Sequence, residues 1–333
     1  MLHLTPPVDD ALGVLSSTLP VVQHARQVRL DLVRVESLAA RWAAEGWSVP
    51  AWYSDLHFYD GTERTLNWML LTDAMNFCFW AEAGQPRWAV AYRGQVYDGY
   101  MAEAASLMRA IDEGRPLWDA AYLAELSETE LRTIFRPAPG ASEIPLFAER
   151  LANAREVGRV LLEKYGGQCA RMIKAAGDNA VLLAQRIVQD FVSFNDVASY
   201  DGTEVRFYKR AQICVSDIHG IFGGQRWGDL IGLDHLTIFA DYKLPQLLRR
   251  EGVLVYTPDL AGRIDRMELL PEGSQEEVEI RAATVWAGEA LRRALSARGI
   301  QAQAAEIDYR LWVLSQTKSP DDRPYHRTRT IYY

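Results

Sequence analysis

The spacing of apolar residues predicts a mainly α protein with a minor β element. In most segments apolar positions recur every three or four residues, the interval that places them on one face of a helix. The segments with this pattern are residues 19–45, 64–82, 101–113, 117–126, 127–136, 145–165, 168–194, 242–250 and 276–298. Between residues 87 and 100, apolar and polar positions alternate around a glycine, which predicts a short hairpin.

Prolines and glycines mark the breaks between these elements. Residues 136–145, RPAPGASEIP, hold three prolines and one glycine. This composition predicts a boundary between an N-terminal helical lobe (1–140), which includes the hairpin, and a C-terminal lobe (141–333). The four glycines of residues 223–232 predict a loop. We expect the two lobes to act as a single functional unit.

Composition and charge narrow the classes of function. The chain has 333 residues, 49% of them hydrophobic and 24% charged, as in an ordinary globular protein. Its net charge of −8 argues against a polymeric nucleic acid as partner, because such binding depends on many Lys and Arg contacts to phosphates. A local site for one phosphate is still compatible with this charge. With no membrane-spanning apolar run and no signal-peptide pattern, we expect a cytoplasmic protein without a membrane partner.

The cysteines and histidines match neither a disulfide framework nor a metal site. Cys78, Cys169 and Cys214 are widely spaced and odd in number, which favours reduced thiols. The six histidines are scattered, and glycine-rich phosphate loops and the GxSxG and HExxH motifs are absent. The sequence therefore predicts no metal and no cofactor.

Two polar residues lie in the very apolar segment 64–82. If this segment is helical throughout, Asp73, Asn76, Phe77 and Trp80 share one side of the helix. A carboxylate and an amide are costly to bury without partners. Asp73 either caps a neighbouring element or pairs with an arginine, or it presents, with Asn76, hydrogen-bonding groups to a heterocycle stacked on an aromatic ring.

Residues 207–217, FYKRAQICVSD, combine cations with hydrogen-bonding side chains. In a helix, Lys209, Gln212 and Ser216 line one face, and Asp217 is adjacent. Lys209 and Arg210 either form an exposed charged pair or, since their flanks are apolar, face a buried carboxylate or phosphate.

Asp241 precedes a predicted helix whose first turn contains Pro245. Aspartate is a common N-cap and proline suits the first turn, so Asp241 is expected to cap this helix. A carboxylate at the mouth of a cleft also stabilises positive charge on a sugar in an oxocarbenium-like transition state. From the residues alone, both roles stay open.

The last residues of the sequence are first basic and then apolar. His326, Arg327 and Arg329 precede Ile-Tyr-Tyr, whereas most termini are polar and fray. The tail either docks on the fold and brings an arginine over a phosphate, or it is a disordered basic tail.

Several long segments resemble the queuosine salvage protein family. They are FYKRAQICVSD, TIFADYKLPQLL, TLNWMLLTDAMNFCFW preceded by HFYDG, YRGQVYDGY, SLMRAIDEG, EIRAATVWAGE and the terminal HRTRTIYY. Members of this family are queuosine 5′-phosphate N-glycosylases/hydrolases. The resemblance implies hydrolysis of the N-glycosidic bond of queuosine 5′-monophosphate, which yields queuine, a 7-deazaguanine base, and ribose 5-phosphate.

The resemblance also implies a two-lobed helical fold related to helix-hairpin-helix DNA glycosylases. In those enzymes a catalytic aspartate begins a helix, and FADYKLPQLL places Asp241 at that position. Their LPGxG hairpin is replaced here by GDLIGLDHL, which argues against DNA as the substrate.

The resemblance and the side-chain chemistry together give each candidate residue an expected role. Asp241 is expected to stabilise the ribosyl cation and to orient or deprotonate the attacking water. The residues expected to contact the base are Asp73, Asn76, Phe77, Trp80 and Asp217. Those expected to contact the phosphate and ribose are Lys209, Tyr242, His326, Arg327 and Tyr333. The protein is expected to be a monomer.

Two other functions are compatible with the residues. One is a glycosylase that acts on a base within DNA or tRNA. The other is a helical protein that binds a nucleoside without turnover. An assay for free base released from queuosine 5′-monophosphate separates all three functions.

Overall fold

The computed structural model describes residues 4–49 and 55–333 and is mainly helical, as the sequence pattern predicts. Its helices are α1 (Val14–His24), α2 (Leu32–Glu45), α3 (Glu63–Met75), α4 (Gly99–Asp112), α5 (Ala120–Ala124), α6 (Glu128–Ile134), α7 (Phe147–Tyr165), α8 (Cys169–Ala175), α9 (Ala180–Asp190), α10 (Lys209–Ile221), α11 (Lys243–Arg250), α12 (Pro258–Asp265), α13 (Gln275–Ser296) and α14 (Ala304–Gln316). Its strands are β1 (Val28–Leu30), β2 (Ala89–Tyr92), β3 (Gln95–Asp98), β4 (Val197–Tyr200), β5 (Thr203–Arg206) and β6 (Leu254–Tyr256).

The described residues divide into two compact units, each made of several chain segments. The first unit comprises residues 4–49, 196–212 and 232–329, and the second comprises 55–195, 213–231 and 330–333. Residues 140 and 141, where the sequence places a lobe boundary, both lie in the second unit. The boundary between the two lobes stays a prediction.

The first unit is organised around α13, most of which is buried. Helices α2, α11 and α14 pack against it, and their apolar side chains form one core with residues such as Trp42, Leu248 and Leu311. Strands β1 and β6 pair antiparallel, and β4 and β5 form a hairpin. The helix predicted over residues 276–298 is confirmed, and the structure shows that it is the central element of this unit.

The single helix predicted over residues 19–45 is wrong, because a strand interrupts it. Helix α1 ends before Ala25, whose ψ of 134° is extended. Residues 28–30 then pair with residues 254–256, a partner that local spacing does not reveal. Asp31 begins the next helix by accepting hydrogen bonds from the backbone N–H groups of Val33 and Arg34.

The second unit contains the predicted hairpin and most of the shorter helices. Strands β2 and β3 pair across a turn at Arg93 and Gly94, which confirms the alternating pattern of residues 87–100. Ser127 caps α6 by accepting the Glu130 backbone N–H at 3.1 Å, as predicted. Buried Asn67 joins three segments: its Nδ2 donates to the carbonyls of Trp118 and Gly167, and its Oδ1 accepts the Cys169 N–H.

Two further helix predictions are wrong, one in the middle of its segment and the other at its end. The segment 168–194 is not one helix, because Gly177 and Asp178 both have positive φ and separate α8 from α9. The segment 64–82 is helical only as far as Met75. The Arg150 guanidinium donates to the carbonyls of Met75, Phe77 and Cys78, so these groups find partners without a further helical turn.

Gly158 allows α5 and α7 to approach closely. A Cβ at this position would lie 2.2 Å from the backbone nitrogen of Ala124 and 2.6 Å from the carbonyl oxygen of Ala120. Backbone atoms cannot move aside as a flexible side chain can. We therefore expect Gly158→Ala to lower the free energy of unfolding by about 2 kcal/mol, despite the better helix propensity of alanine.

Gly262→Ala is the matched control for this prediction. Gly262 also lies inside a helix, but its added Cβ would meet only the end of the Arg266 side chain, at 3.2 Å. This variant is expected to be neutral or more stable by about 0.5–1 kcal/mol. Equal stability changes for both variants in urea denaturation would contradict the close-packing argument.

Candidate functional site

Asp241 lies at the start of α11 in the first unit. Its Oδ1 accepts hydrogen bonds from the backbone N–H groups of Lys243 (2.7 Å) and Leu244 (2.8 Å). The predicted capping role is therefore confirmed, and Pro245 follows within the first turn, where no N–H is needed. Among the described residues, Oδ2 of Asp241 accepts no hydrogen bond. The carboxylate is thus fixed through one oxygen, and the other is available to a ligand.

The surroundings of Asp241 change its acidity. Burial raises the pKa of Asp241 above the ordinary aspartate value of 3.8. The Lys209 ammonium, the two backbone N–H groups and Lys243 act in the opposite direction and favour the charged form. The structure thus places a cation from α10 close enough to influence the carboxylate at the start of α11.

Lys209 begins α10, and its backbone is held by Asp196. The Lys209 N–H donates to Asp196 Oδ2 at 3.1 Å, and the backbone N–H groups of Phe207 and Tyr208 donate to the Asp196 carbonyl at 3.0 and 3.1 Å. Lys209 and Arg210 are both buried, which excludes the alternative of an exposed charged pair and agrees with the alternative of buried cations. Gln212 also turns inward, since its side chain binds the Thr237 backbone N–H at 2.8 Å.

Arg281 of α13 forms a buried ion-pair network with two carboxylates. Its Nη1 and Nη2 donate to Asp196 Oδ1 and Oδ2 at 2.8 and 2.5 Å, and its Nε lies 3.7 Å from Glu277 Oε1. Its Nε also donates to the Ala240 carbonyl at 3.4 Å, and the guanidinium lies 3.9 Å from the centre of the Phe207 ring. All of these side chains belong to the first unit.

The chain near the C-terminus packs along the start of α11. The Tyr242 and Tyr325 rings are 4.9 Å apart, and Lys243 Nζ lies 5.7 Å from the centre of the Tyr325 ring. The Arg327 guanidinium approaches the same ring at 5.9 Å. The Arg327 carbonyl accepts the Leu270 N–H at 2.8 Å, which fixes this part of the tail to the first unit.

His326 is buried and neutral at physiological pH. Burial lowers the pKa of His326 to about 3, and the nearby Arg281 guanidinium acts in the same direction. A neutral imidazole has one N–H donor and one acceptor nitrogen. As a ligand of a phosphate, His326 would therefore act as a hydrogen-bond donor and not as a cation.

The second unit brings together two of the acids expected to contact the base. Burial raises the pKa of the Cys214 thiol well above its ordinary value, and Asp73, Cys169 and Asp217 raise it further. Asp73 comes from α3 and Asp217 from α10, so these elements place both carboxylates near the same thiol. All three cysteines of the chain are free and buried, which agrees with the prediction of reduced thiols.

The other residues expected at the base are not on a helix face with Asp73. Because α3 ends at Met75, Asn76, Phe77 and Trp80 follow it in irregular chain, and the predicted common helix face is wrong. All three are buried. The Arg150 guanidinium lies 4.2 Å from the centre of the Phe77 ring, so one neighbour of this ring is a protein cation.

The end of the tail is docked, which excludes the disordered alternative. Tyr333 is 2% exposed, and its backbone oxygen accepts the Cys78 N–H at 2.9 Å within the second unit. Thr330 is also buried, whereas Ile331 and Tyr332 are partly exposed. The apolar character of the last residues correctly predicted this docking.

Sequence reasoning missed Asp196, Arg281 and Glu277. Their carboxylates and guanidinium meet in the buried network described above. Glu277 and Arg281 are one helical turn apart on α13, but Asp196 is 85 residues away from Arg281 in the chain. The sequence signal for Asp196 and Arg281 was that each has mainly apolar neighbours, in the segments FNDVASY and IRAATVW. Such residues are costly to bury singly and so predict buried partners, but not which ones.

The described residues contain no group of three or more His, Cys, Asp or Glu arranged to hold a metal ion. In the same part of the chain, no helix combines the length and the apolar character needed to cross a membrane.

Comparison with known proteins identifies the family. A family model described as queuosine salvage protein matches residues 56–333. A queuosine 5′-phosphate N-glycosylase/hydrolase of Sphaerobacter thermophilus is 49% identical over 97% of this chain and 98% of its own length. The protein of the same name from Mus musculus is 36% identical, over 94% of this chain and 96% of its own length. The chain belongs to the queuosine salvage protein family.

Proposed function

We propose that this protein is an N-glycosyl hydrolase that cleaves queuosine 5′-monophosphate into queuine and ribose 5-phosphate. The observation that carries this proposal is the Asp241 carboxylate, fixed through Oδ1 at the start of α11 with Oδ2 available. Support comes from the relatives, which match over nearly their full length and are named queuosine 5′-phosphate N-glycosylase/hydrolase.

Asp241 is proposed to act on the sugar and on water. As the glycosidic bond breaks, positive charge develops on the ribose, and a nearby carboxylate stabilises that charge. The Oδ2 atom also orients a water molecule and accepts its proton as the new C–O bond forms, and this proton balances the one that the departing base nitrogen takes up. The pKa of Asp241, raised by burial, makes the carboxylate a better proton acceptor than an exposed aspartate. The backbone N–H groups at Oδ1 keep the side chain in one orientation throughout.

Cations and hydrogen-bond donors of the first unit are proposed to bind the 5′-phosphate and ribose. Lys209 supplies a buried ammonium close to Asp241, and Arg327 and Tyr242 lie around the Tyr325 ring beside α11. A neutral His326 adds an N–H donor. Buried charged groups of this kind bind a phosphate strongly because charge-assisted hydrogen bonds are the stronger class.

The roles proposed for the base-contacting residues rest on their chemistry. Asp73 or Asp217 accepts hydrogen bonds from the guanine-like N–H edge of queuine, Asn76 adds an amide, and Phe77 or Trp80 stacks on the ring. These five roles, and that of Tyr333, stay predictions.

The proposed reaction is tested by incubating the purified protein with queuosine 5′-monophosphate and measuring free queuine by mass spectrometry. Release of queuine with one equivalent of ribose 5-phosphate supports the proposal. Two parallel incubations contain a queuosine-modified tRNA and a damaged-base DNA duplex. Release from a polymer alone would establish a tRNA or DNA glycosylase instead, and binding without release from any substrate would establish a non-catalytic protein.

The phosphate proposal predicts a strong preference for the nucleotide over the nucleoside. Losing hydrogen bonds to a charged group typically costs about 1.5–3 kcal/mol, so we expect kcat/KM for queuosine to be roughly 10- to 100-fold below that for its 5′-monophosphate. Lys209→Met should narrow this ratio. The measurement is a pair of kcat/KM values for each protein.

The outcome for Lys209→Met separates two roles of the ammonium. If Lys209 acts only on the pKa of Asp241, both substrates lose kcat/KM equally and the ratio stays as in the wild type. Lys164→Met, a change of a more exposed lysine that pairs with Asp190, is the control and should leave both values unchanged. Equal kcat/KM for nucleoside and nucleotide in the wild type would remove the case for a phosphate site.

We also propose that the protein acts as a cytoplasmic monomer on a free nucleotide. The net charge of −8 and the three free cysteines support this setting. Light scattering coupled to gel filtration tests the monomer, and binding to an oligonucleotide at low salt tests the absence of a polymeric partner.

A further inference from the structure

We propose that Arg281 is a positioning residue for the reaction assigned to Asp241, an inference that rests on the proposed function. Arg281 acts through Asp196 on Lys209 and through the Ala240 carbonyl on the chain that carries Asp241. One guanidinium on the central helix α13 thereby fixes the spacing between a cation and a carboxylate of the proposed site.

The first link runs from Arg281 to the start of α10. The guanidinium binds both oxygens of Asp196, a bidentate geometry that fixes the carboxylate in direction as well as in distance. Asp196 in turn accepts the backbone N–H groups of Phe207, Tyr208 and Lys209. Phe207 and Tyr208 donate to the backbone carbonyl of Asp196, whereas Lys209 donates to the carboxylate oxygen Oδ2, which Arg281 also binds. The link from Arg281 to Lys209 therefore runs through this carboxylate.

The backbone conformation of Tyr208 shows why the hydrogen bonds to Asp196 are needed. Tyr208 has a φ of 50°, in the left-handed region that is unfavourable for a residue with a side chain. Such a conformation persists only where the surroundings enforce it. The hydrogen bonds to Asp196 on both sides of the Tyr208 backbone supply that constraint and set the direction in which the Lys209 side chain leaves the helix start.

The second link runs from Arg281 to the chain before α11. Its Nε donates to the carbonyl of Ala240, the residue directly before Asp241. The Phe207 ring covers the face of the same guanidinium at 3.9 Å, so the planar group has little freedom to rotate. Both chain segments therefore contact one rigid group, which is the arrangement expected of a spacer between two functional side chains.

The charges around this network explain why arginine is required. Arg281 faces Asp196 and Glu277, with neutral His326 nearby, and Asp241 faces Lys209 and Lys243. A lysine at position 281 keeps the positive charge but presents a single ammonium, which cannot bind two carboxylate oxygens and a carbonyl in one plane. Arg281→Lys therefore removes the geometry and retains the charge.

The expected effect of Arg281→Lys is a fall in kcat of about 10²-fold, the cost of misplacing catalytic groups by about 1 Å. The thermal unfolding temperature and the circular dichroism spectrum serve to confirm that the measured protein is folded. If the lysine variant does not fold, the double variant Asp196→Asn/Arg281→Met removes both charges together and takes its place. An undiminished kcat in either folded variant would overturn the proposal.

Arg293→Met is the matched control because Arg293 has the same kinds of partner on the same helix. It contacts the Glu289 carboxylate, the carbonyl of Thr5 and, at 5.8 Å, the ring of Trp286. None of these three partners is adjacent in the chain to Lys209 or Asp241, the two site residues that Arg281 is proposed to position. This change should lower stability and leave kcat unchanged, whereas an equal loss of kcat would show that any disruption of α13 has the same effect.

A second readout follows the carboxylate of Asp241 without any turnover. In protein labelled with ¹³C at the aspartate carboxyls, Asp241 is assigned by the signal lost in Asp241→Asn. The positive charge of Lys209 lowers the pKa of Asp241, and moving Lys209 away weakens this effect. The titration of Asp241 should therefore move to higher pH in Arg281→Lys and stay unchanged in Arg293→Met. Titration unchanged in Arg281→Lys would also overturn the proposal.

The two readouts distinguish this inference from the proposed function. If the wild type releases no queuine but the Asp241 titration moves in Arg281→Lys, the proposed reaction is wrong and the positioning by Arg281 stands. If the wild type is active and neither kcat nor the titration changes, the reaction stands and Arg281 has only a structural role.

Discussion

Asp241→Asn is expected to lower kcat for queuine release from queuosine 5′-monophosphate by about 10²-fold or more, the typical effect of removing a main charge-stabilising group. Asparagine keeps the size of the side chain and can still accept the N–H groups of Lys243 and Leu244 through its oxygen. It loses the negative charge that stabilises the ribosyl cation and the basicity that accepts a proton from water. The measurement is single-turnover release of queuine at saturating substrate.

The wild-type pH profile gives an independent check on the same carboxylate. Because burial raises the pKa of Asp241, activity should begin to fall at a higher pH than an ordinary aspartate would give as the solution is acidified. A raised pKa also means that the folded state disfavours the charged form of Asp241. The protonated carboxyl therefore stabilises the folded state below pH 3.8. This stabilisation is lost as the pH rises through the pKa that Asp241 has in the folded protein. At pH 7 the asparagine variant should therefore be at least as stable as the wild type.

Asp31→Asn is the matched control for the Asp241 prediction. Asp31 begins α2 in the same unit, and its Oδ1 accepts two backbone N–H groups, those of Val33 and Arg34, in the same pattern. If capping were the only function of Asp241, both variants would leave kcat unchanged. Wild-type turnover by Asp241→Asn would refute the catalytic role.

Tyr333→Ala is expected to lower the free energy of unfolding by about 3–5 kcal/mol, the usual range for truncating a buried aromatic side chain. Tyr333 is 2% exposed and belongs to the second unit, where its backbone oxygen also accepts the Cys78 N–H. The alanine variant keeps that hydrogen bond, so the measured change reports the side chain. Removing residues 330–333 deletes both contributions and should destabilise the protein further. Urea denaturation of each variant gives the free energies.

Tyr332→Ala is the control for Tyr333→Ala. It shows whether the loss of stability is specific to the buried Tyr333 side chain or follows from any substitution near the end of the tail. Tyr332 is only partly buried, and its contact to Thr330 is made by its backbone N–H, which the substitution retains. We expect a loss of stability well below that of Tyr333→Ala. Equal losses, or a stable protein after removal of residues 330–333, would contradict the docking interpretation.

The helices that the sequence predicted well are those whose ends have a local chemical cause. Ser127 and Asp241 each accept backbone N–H groups at the start of their helices, and both were recognised from residue type and spacing. The hairpin at residues 89–98 was recognised for the same reason, since alternation and a glycine-containing turn are neighbouring features of the chain. Segments from about residue 50 onward also carry enough of the family motifs to indicate the family from residue types alone.

The errors at residues 19–45 and 64–82 share one physical cause, which is that a distant part of the chain decided the local structure. Residues 28–30 form a strand because residues 254–256 pair with them, and α3 ends at Met75, where Arg150 binds the carbonyls of Met75 and Phe77. The Asp196–Arg281 pair joins residues that are far apart in the chain. Spacing along the sequence contains no information about these partners.

The sequence by itself determined that the protein is mainly helical, that it resembles the queuosine salvage family and that Asp241 begins a helix. These properties depend on residue types at short spacing, which act through local hydrogen bonds and periodic apolar faces. Only the tertiary structure decided that Lys209 is buried near Asp241 and that Asp196 and Arg281 hold its backbone. A charged side chain is stable in the interior only beside its partners, and folding brings those partners from distant segments.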